Sequence, residues 1–349
     1  MPEDEIRDII SMDENEYLKS NDYFLGVEDL CMYFPAKKDK LGRPVSWIHA
    51  VDDVTFHVPK GKTLGVVGES GCGKSTLGKV LVDLYSPTKG RVVYDGVDLT
   101  SLSKKQRKPY IQKMQMIWQD PYSSLDPRMH AGDIIAEPIR NFGLAPSEEA
   151  VQARVKELLE LCGLYEEDAE KFPHQFSGGQ RQRICIARAL AADPEFIVCD
   201  EAVSALDVSI QAQIINLLKD LQEKFSLTYL FISHDLNIVQ FISDEIIVMY
   251  LGEVVERGTR EAVYEKRAHP YTRALFSATP EFPPPEEKRK RELMEGELMS
   301  PVDPKPGCRF ANRCPHATER CRTETPVWNR IGENHLVRCW LYEGNEIQE

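Results

Sequence analysis

No stretch of this 349-residue sequence approaches the roughly 18 consecutive apolar residues needed to cross a bilayer; the longest runs, such as Ile246 to Leu251, are strand-sized. The N-terminus, Met1-Pro2-Glu3-Asp4-Glu5, has neither the basic nor the apolar region of a signal peptide, so the chain is expected to be made and kept in the cytosol. Basic excess is missing as well. A formal net charge of −13 argues against non-specific binding to nucleic acid, whose phosphates demand a basic face, but leaves room for one local anion site. There is no internal repeat, no sustained heptad pattern and no C-x₂-C pair. What remains, 42% hydrophobic and 28% charged residues, is the composition of a globular chain. The length suits one large domain with a smaller unit, or two of middling size.

The charge is unevenly spread. Residues 1–22 carry eight acids against two bases and read as a solvated arm, whereas residues 301–349 balance at seven of each. Strand candidates run over Phe24–Tyr33 and Ala50–Val58, separated by a polar loop from Pro35 to Pro44. Thr63–Val67 is a short apolar run that leads into a glycine-rich loop and then a helical pattern over Thr76–Leu84. Helices are expected at Ser147–Cys162 and Gln180–Ala191, within a helical stretch of about 121–192. Phe196–Cys199 and Thr228–Ile232 read as buried strands. Strand, loop and helix in recurrence imply a mainly parallel sheet. Pro283-Pro284-Pro285 and the charged run Glu286 to Arg291 make a linker.

Gly68-Glu69-Ser70-Gly71-Cys72-Gly73-Lys74-Ser75, followed by Thr76, matches G-x-x-x-x-G-K-[ST] between an apolar strand and a helix. Glycines let backbone N–H groups turn inward onto phosphate oxygens, and the helix N-terminus adds partial positive charge. Lys74 is placed to reach the β- and γ-phosphates, and Ser75 to hold Mg²⁺. Phe196-Ile197-Val198-Cys199-Asp200-Glu201 delivers two carboxylates to a strand end, where ligands collect in parallel sheets. Asp200 suits Mg²⁺, leaving Glu201 to deprotonate water. In isolation such an acidic pair is an ordinary solvated strand end; the phosphate loop upstream reverses that weighting.

Ser177-Gly178-Gly179-Gln180, preceded by Phe176, resembles the signature motif of ATP-binding-cassette ATPases, with Phe in place of the usual Leu. Other cassette motifs follow in order over about residues 24–262. Gln119 in Trp118-Gln119-Asp120-Pro121 resembles the Q-loop glutamine and joins Ser75 and Asp200 at Mg²⁺. Asp207 in Ser204-Ala205-Leu206-Asp207 resembles the D-loop, and His234 in Ser233-His234-Asp235 the switch histidine. The resemblance implies a P-loop NTPase fold: a RecA-like parallel sheet core, an antiparallel β subdomain and a helical signature subdomain. It also implies a head-to-tail dimer in which the signature turn of one cassette grips the γ-phosphate of ATP held by the other. Phe34, with neighbouring Tyr33 as the alternative, matches the aromatic that stacks on adenine.

A sharper resemblance, to ATP-binding subunits of oligopeptide and dipeptide permeases, rests on Gly68–Gly73, on Ile117–Pro127, on Leu206–Gln213 and on His269-Pro270-Tyr271-Thr272-Arg273-Ala274-Leu275. It implies a peripheral protein at the cytoplasmic face of the membrane. Its implied partners are a second cassette subunit (a paralogue), two integral-membrane permease subunits and an extracytoplasmic substrate-binding protein, with no nucleic acid. Pro121 to Met129 would face the permease. The expected division is an acidic arm (1–22), an ATPase domain (23–262) and a C-terminal extension (263–349).

Cys308, Cys314, Cys321 and Cys339 crowd that extension. Cytosolic proteins rarely keep structural disulfides, so the cluster reads as a metal site; four thiolates suit zinc or an iron–sulfur cluster. The permease resemblance implies a structural 4Fe–4S cluster, with Zn²⁺ second and unliganded thiols third. His316 and His335 are expected on the surface. The competing functions are a cassette for another small solute, such as nickel or short sugars, and a non-transport cassette acting on ribosomes or DNA. Ribosome-acting cassettes carry two P-loops in one chain. DNA-repair cassettes separate P-loop and signature by coiled coils, whereas Ser75 and Ser177 lie only about a hundred residues apart here.

Overall fold

A computed structural model describes residues 23–278, 294 and 296–344. The acidic arm and the Pro283–Arg291 linker lie outside the described residues. Four strands, β1 (Leu25–Lys38), β2 (Pro44–Val58), β4 (Lys89–Tyr94) and β5 (Val97–Asp98), form an antiparallel sheet in the order β2-β1-β4-β5. A second sheet has the order β11-β12-β10-β9-β3-β8-β7-β6. Its members are β3 (Thr63–Val67), β6 (Met114–Ile117), β7 (Phe196–Asp200), β8 (Thr228–Ile232), β9 (Glu245–Tyr250), β10 (Glu253–Thr259), β11 (Trp328–Gly332) and β12 (His335–Arg338).

From β9 to β6 all pairings are parallel, and every residue of β3, β7 and β8 is buried. Continuous apolar runs are what a strand covered on both faces requires. One apolar cluster joins the sheet to the helices Ala131–Phe142, Glu148–Leu161, Gly178–Leu190 and Val208–Phe225. The other joins it to the antiparallel sheet and to the helix Lys74–Leu81. The helix expected over Ser147–Cys162 forms as Glu148–Leu161, because Ser147 serves as its N-cap and accepts from the Ala150 N–H at 3.3 Å. No helix among the described residues is long and apolar enough to cross a membrane.

The expected polar loop between Pro35 and Pro44 is instead a hairpin. Strand β1 continues to Lys38, and the turn is confined to residues 39–43. There Asp39 Oδ1 accepts from the N–H groups of Leu41 and Arg43, each at 2.8 Å, while Gly42 takes a φ of 78°. Residues Ala36–Lys38 are exposed, so no buried face left an alternation to read.

The cysteine-rich tail is built into the main sheet. β12 pairs antiparallel with β10 (Glu256 opposite Val337, Gly258 opposite His335), and β11 covers β12. Under this hairpin Glu256 is wholly buried. Its carboxylate accepts from Ala268 N and His269 N at 2.8 Å and from His335 Nε2 at 2.7 Å. His335 is therefore a core residue, contrary to the surface position expected from sequence. Burial alone would raise the Glu256 carboxyl; the His335 bond and the backbone N–H groups outweigh it and hold it below its ordinary value.

Replacing Glu256 by Ala strands these donors in the core and is expected to cost about 3–5 kcal/mol in urea unfolding, the penalty for breaking a buried charged contact. Because its folded pKa is depressed, the Glu256 contribution is complete above the unfolded pKa of about 4.3 and is lost as pH falls through the folded value. Unaltered chain and variant should therefore converge in stability only in acid; a gap that stayed constant from neutral pH to that range would contradict the assignment.

Candidate functional site

The loop Gly68–Ser75 leaves the end of β3 and runs into the helix Lys74–Leu81. Two of its glycines are obligatory. A Cβ on Gly68 (φ 154°) would collide with the Met249 carbonyl, and one on Gly73 (φ 109°) with that of Ala50. Gly71 also takes a positive φ of 78°, and Ser70 is exposed beside it. Cys72 is buried, and its carbonyl accepts from Gly252 N at 2.8 Å. Lys74 is 4% exposed and folds back across the loop, its Nζ donating to the carbonyls of Gly68 and Glu69 at 2.8 and 2.9 Å. Thr76 follows in the first turn of the helix, partly buried.

Adjacent parallel strands bring the other groups to the same edge. Ser75 Oγ donates to Asp200 Oδ1 at 2.7 Å, at the end of β7. Burial raises the Asp200 carboxyl above its ordinary value, against the Ser75 bond and the charges of Lys79 and Lys74. Glu201, the next residue, turns into the left-handed region at φ 48°, and its N–H is anchored on the Ile232 carbonyl at 2.9 Å. One of its oxygens, Oε2, accepts from Gln119 Nε2 at 2.7 Å and stands 3.5 Å from His234 Nδ1. Gln119 arrives from β6 and His234 from β8, so the ends of β3, β8, β7 and β6, consecutive in the sheet, supply all of these groups. Gln119 meets Glu201 rather than the Ser75–Asp200 pair with which it was expected to share Mg²⁺. Ser75 hydroxyl and Asp200 carboxylate are hard oxygen donors side by side, a set that fits Mg²⁺.

The signature residues stand apart from this edge. Ser177 caps the helix Gly178–Leu190 through a reciprocal pair of bonds: its Oγ accepts from Gln180 N at 3.3 Å and its N–H donates to Gln180 Oε1 at 3.0 Å. Phe176 is buried beneath, while Ser177 and Gly178 are exposed. Gly179 lies so close to Ile210 that a Cβ would require Ile210 to move. Asp207 is exposed at the start of the helix Val208–Phe225. On β1, Phe34 is partly buried and edge-on to Tyr85 at 5.3 Å, whereas Tyr33 is engaged elsewhere: it stacks on His49 at 4.0 Å and donates to Asp52.

The four tail cysteines line one cavity of about 220 Å³, together with His269. They do not converge as ligands of a single ion. Among the described residues no group of three or more His, Cys, Asp or Glu could hold a metal ion, which corrects the ready-made metal site expected from sequence. Burial first, and the neighbouring cysteines second, push the thiol of Cys308 up to about 12; burial pushes that of Cys339 up to about 11. His269 Nδ1 accepts from Tyr271 N at 3.0 Å, and its buried Nε2 has no partner among the described residues. Exposed His316 also lines the cavity.

Several residues at the phosphate loop were not legible in the sequence. Arg313 meets the Glu69 carboxylate, the Tyr271 hydroxyl accepts the Glu69 N–H at 2.7 Å, and Arg309 bridges Asp52 and Glu253. Arg313 and Glu69 are 244 positions apart, and no periodicity or motif connects them.

Comparison with known proteins agrees with this geometry. The family profile described as "ABC transporter" matches residues 51–204, and that described as "Oligopeptide/dipeptide transporter, C-terminal region" matches residues 255–321. The oligopeptide transport ATP-binding protein AppF of Bacillus subtilis is 48% identical over 320 residues, 91% of this chain and 97% of its own length. The oligopeptide transport ATP-binding protein OppF of Salmonella typhimurium is 46% identical over 329 residues, 93% of this chain and 98% of its own. Among solved structures, the ATP-binding cassette MJ0796, a dimer in a post-hydrolysis state bound to ADP and phosphate, is 29% identical. It superposes with a TM-score of 0.60 over 68% of this chain and 98% of that one.

Proposed function

Because this chain belongs to the ATP-binding-cassette ATPases, among the ATP-binding subunits of the oligopeptide and dipeptide transporters, we propose that it hydrolyses ATP to drive import of peptides across the cytoplasmic membrane. The observation that carries this reading is the convergence of Lys74, Ser75, Asp200, Glu201, Gln119 and His234 at the ends of four neighbouring strands. The match to the peptide-transporter C-terminal region favours peptides over nickel or short sugars, and transport over action on ribosomes or DNA.

Each residue then has a chemical task. The loop from Gly68 to Thr76 cradles the phosphates through the N–H groups from Ser70 onward, and Lys74 exchanges its two carbonyl partners for β- and γ-phosphate oxygens. Ser75 and Asp200 would hold Mg²⁺, and Gln119 would have to leave Glu201 to join them. Such an ion, when bound, would supply charge neutralisation at the phosphates. Glu201 takes a proton from the attacking water, and His234 holds the γ-phosphate in line. Phe34 stacks on adenine. Ser177 and Gly178, exposed on their own chain, with half-buried Gly179 and Gln180, complete the site of the opposing cassette, with Asp207 at the same interface. The opposing cassette is a paralogue, and the pair sits beneath two permease subunits supplied by an extracytoplasmic binding protein. A groove of about 530 Å³ beside Trp118, Ser123, Ser124 and Arg188 is the permease face, in the Pro121–Met129 neighbourhood. In this reading residues 23–262 are the ATPase domain, residues about 121–192 its helical subdomain and residues 263–349 the extension.

In the tail, Cys308, Cys314, Cys321 and Cys339 would be the ligands of the structural 4Fe–4S cluster that the permease resemblance implies. What supports this reading is that all four cysteines line one cavity. Zn²⁺, which four thiolates also suit, is the second candidate.

Glu201→Gln should lower ATP turnover by about 10²–10⁴-fold while ATP binding persists, as removal of a general base does. Phosphate release by the paired cassettes is the measurement, and turnover that survives the substitution would contradict the role. Anaerobically purified chain should contain about four iron and four sulfide per polypeptide, with visible absorbance lost in Cys308→Ser. Zinc without iron would overturn the cluster assignment.

A further inference from the structure

Glu69 is an unfavourable residue for its place. A carboxylate in the turn that receives a triphosphate repels the ligand, and nothing within Gly68–Ser75 offsets it except Lys74, whose ammonium lies on backbone carbonyls. The compensation comes from the other end of the chain. Arg313 Nη1 and Nη2 meet Glu69 Oε2 and Oε1 at 2.9 and 3.1 Å, a bidentate pair in which the arginine side chain is 12% exposed. The same guanidinium donates to the Tyr250 hydroxyl at 3.4 Å. The Glu69 N–H is held separately, by the buried Tyr271 hydroxyl at 2.7 Å.

The holders are themselves fixed. Tyr271 packs against Tyr250 and Phe310, with ring centroids 4.6 and 5.5 Å away. Arg313 N donates to the Phe310 carbonyl at 2.9 Å, and Arg309, one residue earlier than Phe310, is 6% exposed and tied to Asp52 and Glu253. Both the side chain and the amide of the second loop residue are therefore set by residues outside the cassette motifs.

We infer that Arg313, assisted by Tyr271, is a positioning residue for ATP: it cancels the Glu69 charge and fixes the loop in the form that receives phosphate. This rests on reading Gly68–Ser75 as the phosphate-binding loop. Since the Glu69 N–H is committed to Tyr271, the amides from Ser70 onward are left for the nucleotide.

The test is binding of a fluorescent ATP analogue with Mg²⁺ to the full-length chain, alongside ATP turnover of the paired cassettes. Arg313→Gln should raise Kd roughly tenfold at low salt, with a smaller loss at high salt and little change in kcat at saturating ATP. Adding Glu69→Gln to that variant should restore most of the affinity, because the charge that needed cancelling is gone; a residue that only supports folding gives no such rescue. Glu69→Gln alone should bind ATP at least as tightly as the unaltered chain, which keeps the inference testable if Arg313→Gln folds poorly. Unchanged affinity in Arg313→Gln, no rescue by the double substitution, or weakened binding in Glu69→Gln alone would each overturn it. Lys74→Ala with undiminished affinity would instead overturn the reading of the loop itself.

Discussion

A triphosphate has to be met by N–H groups and positive charge at one edge of a sheet, and the chain is arranged around that demand. Parallel order makes it possible: β3, β8, β7 and β6 lie side by side and all end at the same edge, so groups more than a hundred residues apart in sequence share one surface. Burying these strands on both faces fixes their register, and with it the Ser75–Asp200 contact. The left-handed turn at Glu201 then presents its carboxylate to Gln119 and His234 together. Backbone strain of this kind persists only where the surroundings enforce it, here through the bond to the Ile232 carbonyl.

The same logic explains why the Ser177 turn faces outward. Its reciprocal bonds with Gln180 satisfy the helix end locally, so the turn is stable without a ligand, and the Ser177 hydroxyl proton stays available to an acceptor. A preformed N-terminus with two glycines costs little to dock against phosphate. Ile210 packs against Gly179 and Leu206 against Gly178, which ties the turn to the helix that Asp207 begins.

What could be read in advance follows from which interactions leave a local trace. Strands β3, β7 and β8 were legible because burial on both faces demands unbroken apolar residues, and the phosphate loop because its glycines and lysine are consecutive. The hairpin at Asp39 was missed because its strands are exposed there and show no alternation. His335 was misplaced because its burial depends on Glu256, a partner 79 positions away. Arg313 lies in the cysteine-bearing stretch Gly307 to Pro315, but only the folded chain brings it to Glu69. The four cysteines line one cavity, but the metal site read from them is not formed among the described residues, because their spacing in sequence does not set how far apart the sulfurs stand.

The β11–β12 hairpin has a further consequence. Without it β10 would end the main sheet as an open border with unpaired amide and carbonyl groups, a template for another chain to add to. Strand β6, at the opposite border, has only four residues. The tail thus blunts the longer border by covering it, and a shortened polypeptide lacking residues after about 327 would be prone to self-association through β10 even though every nucleotide-binding motif was intact.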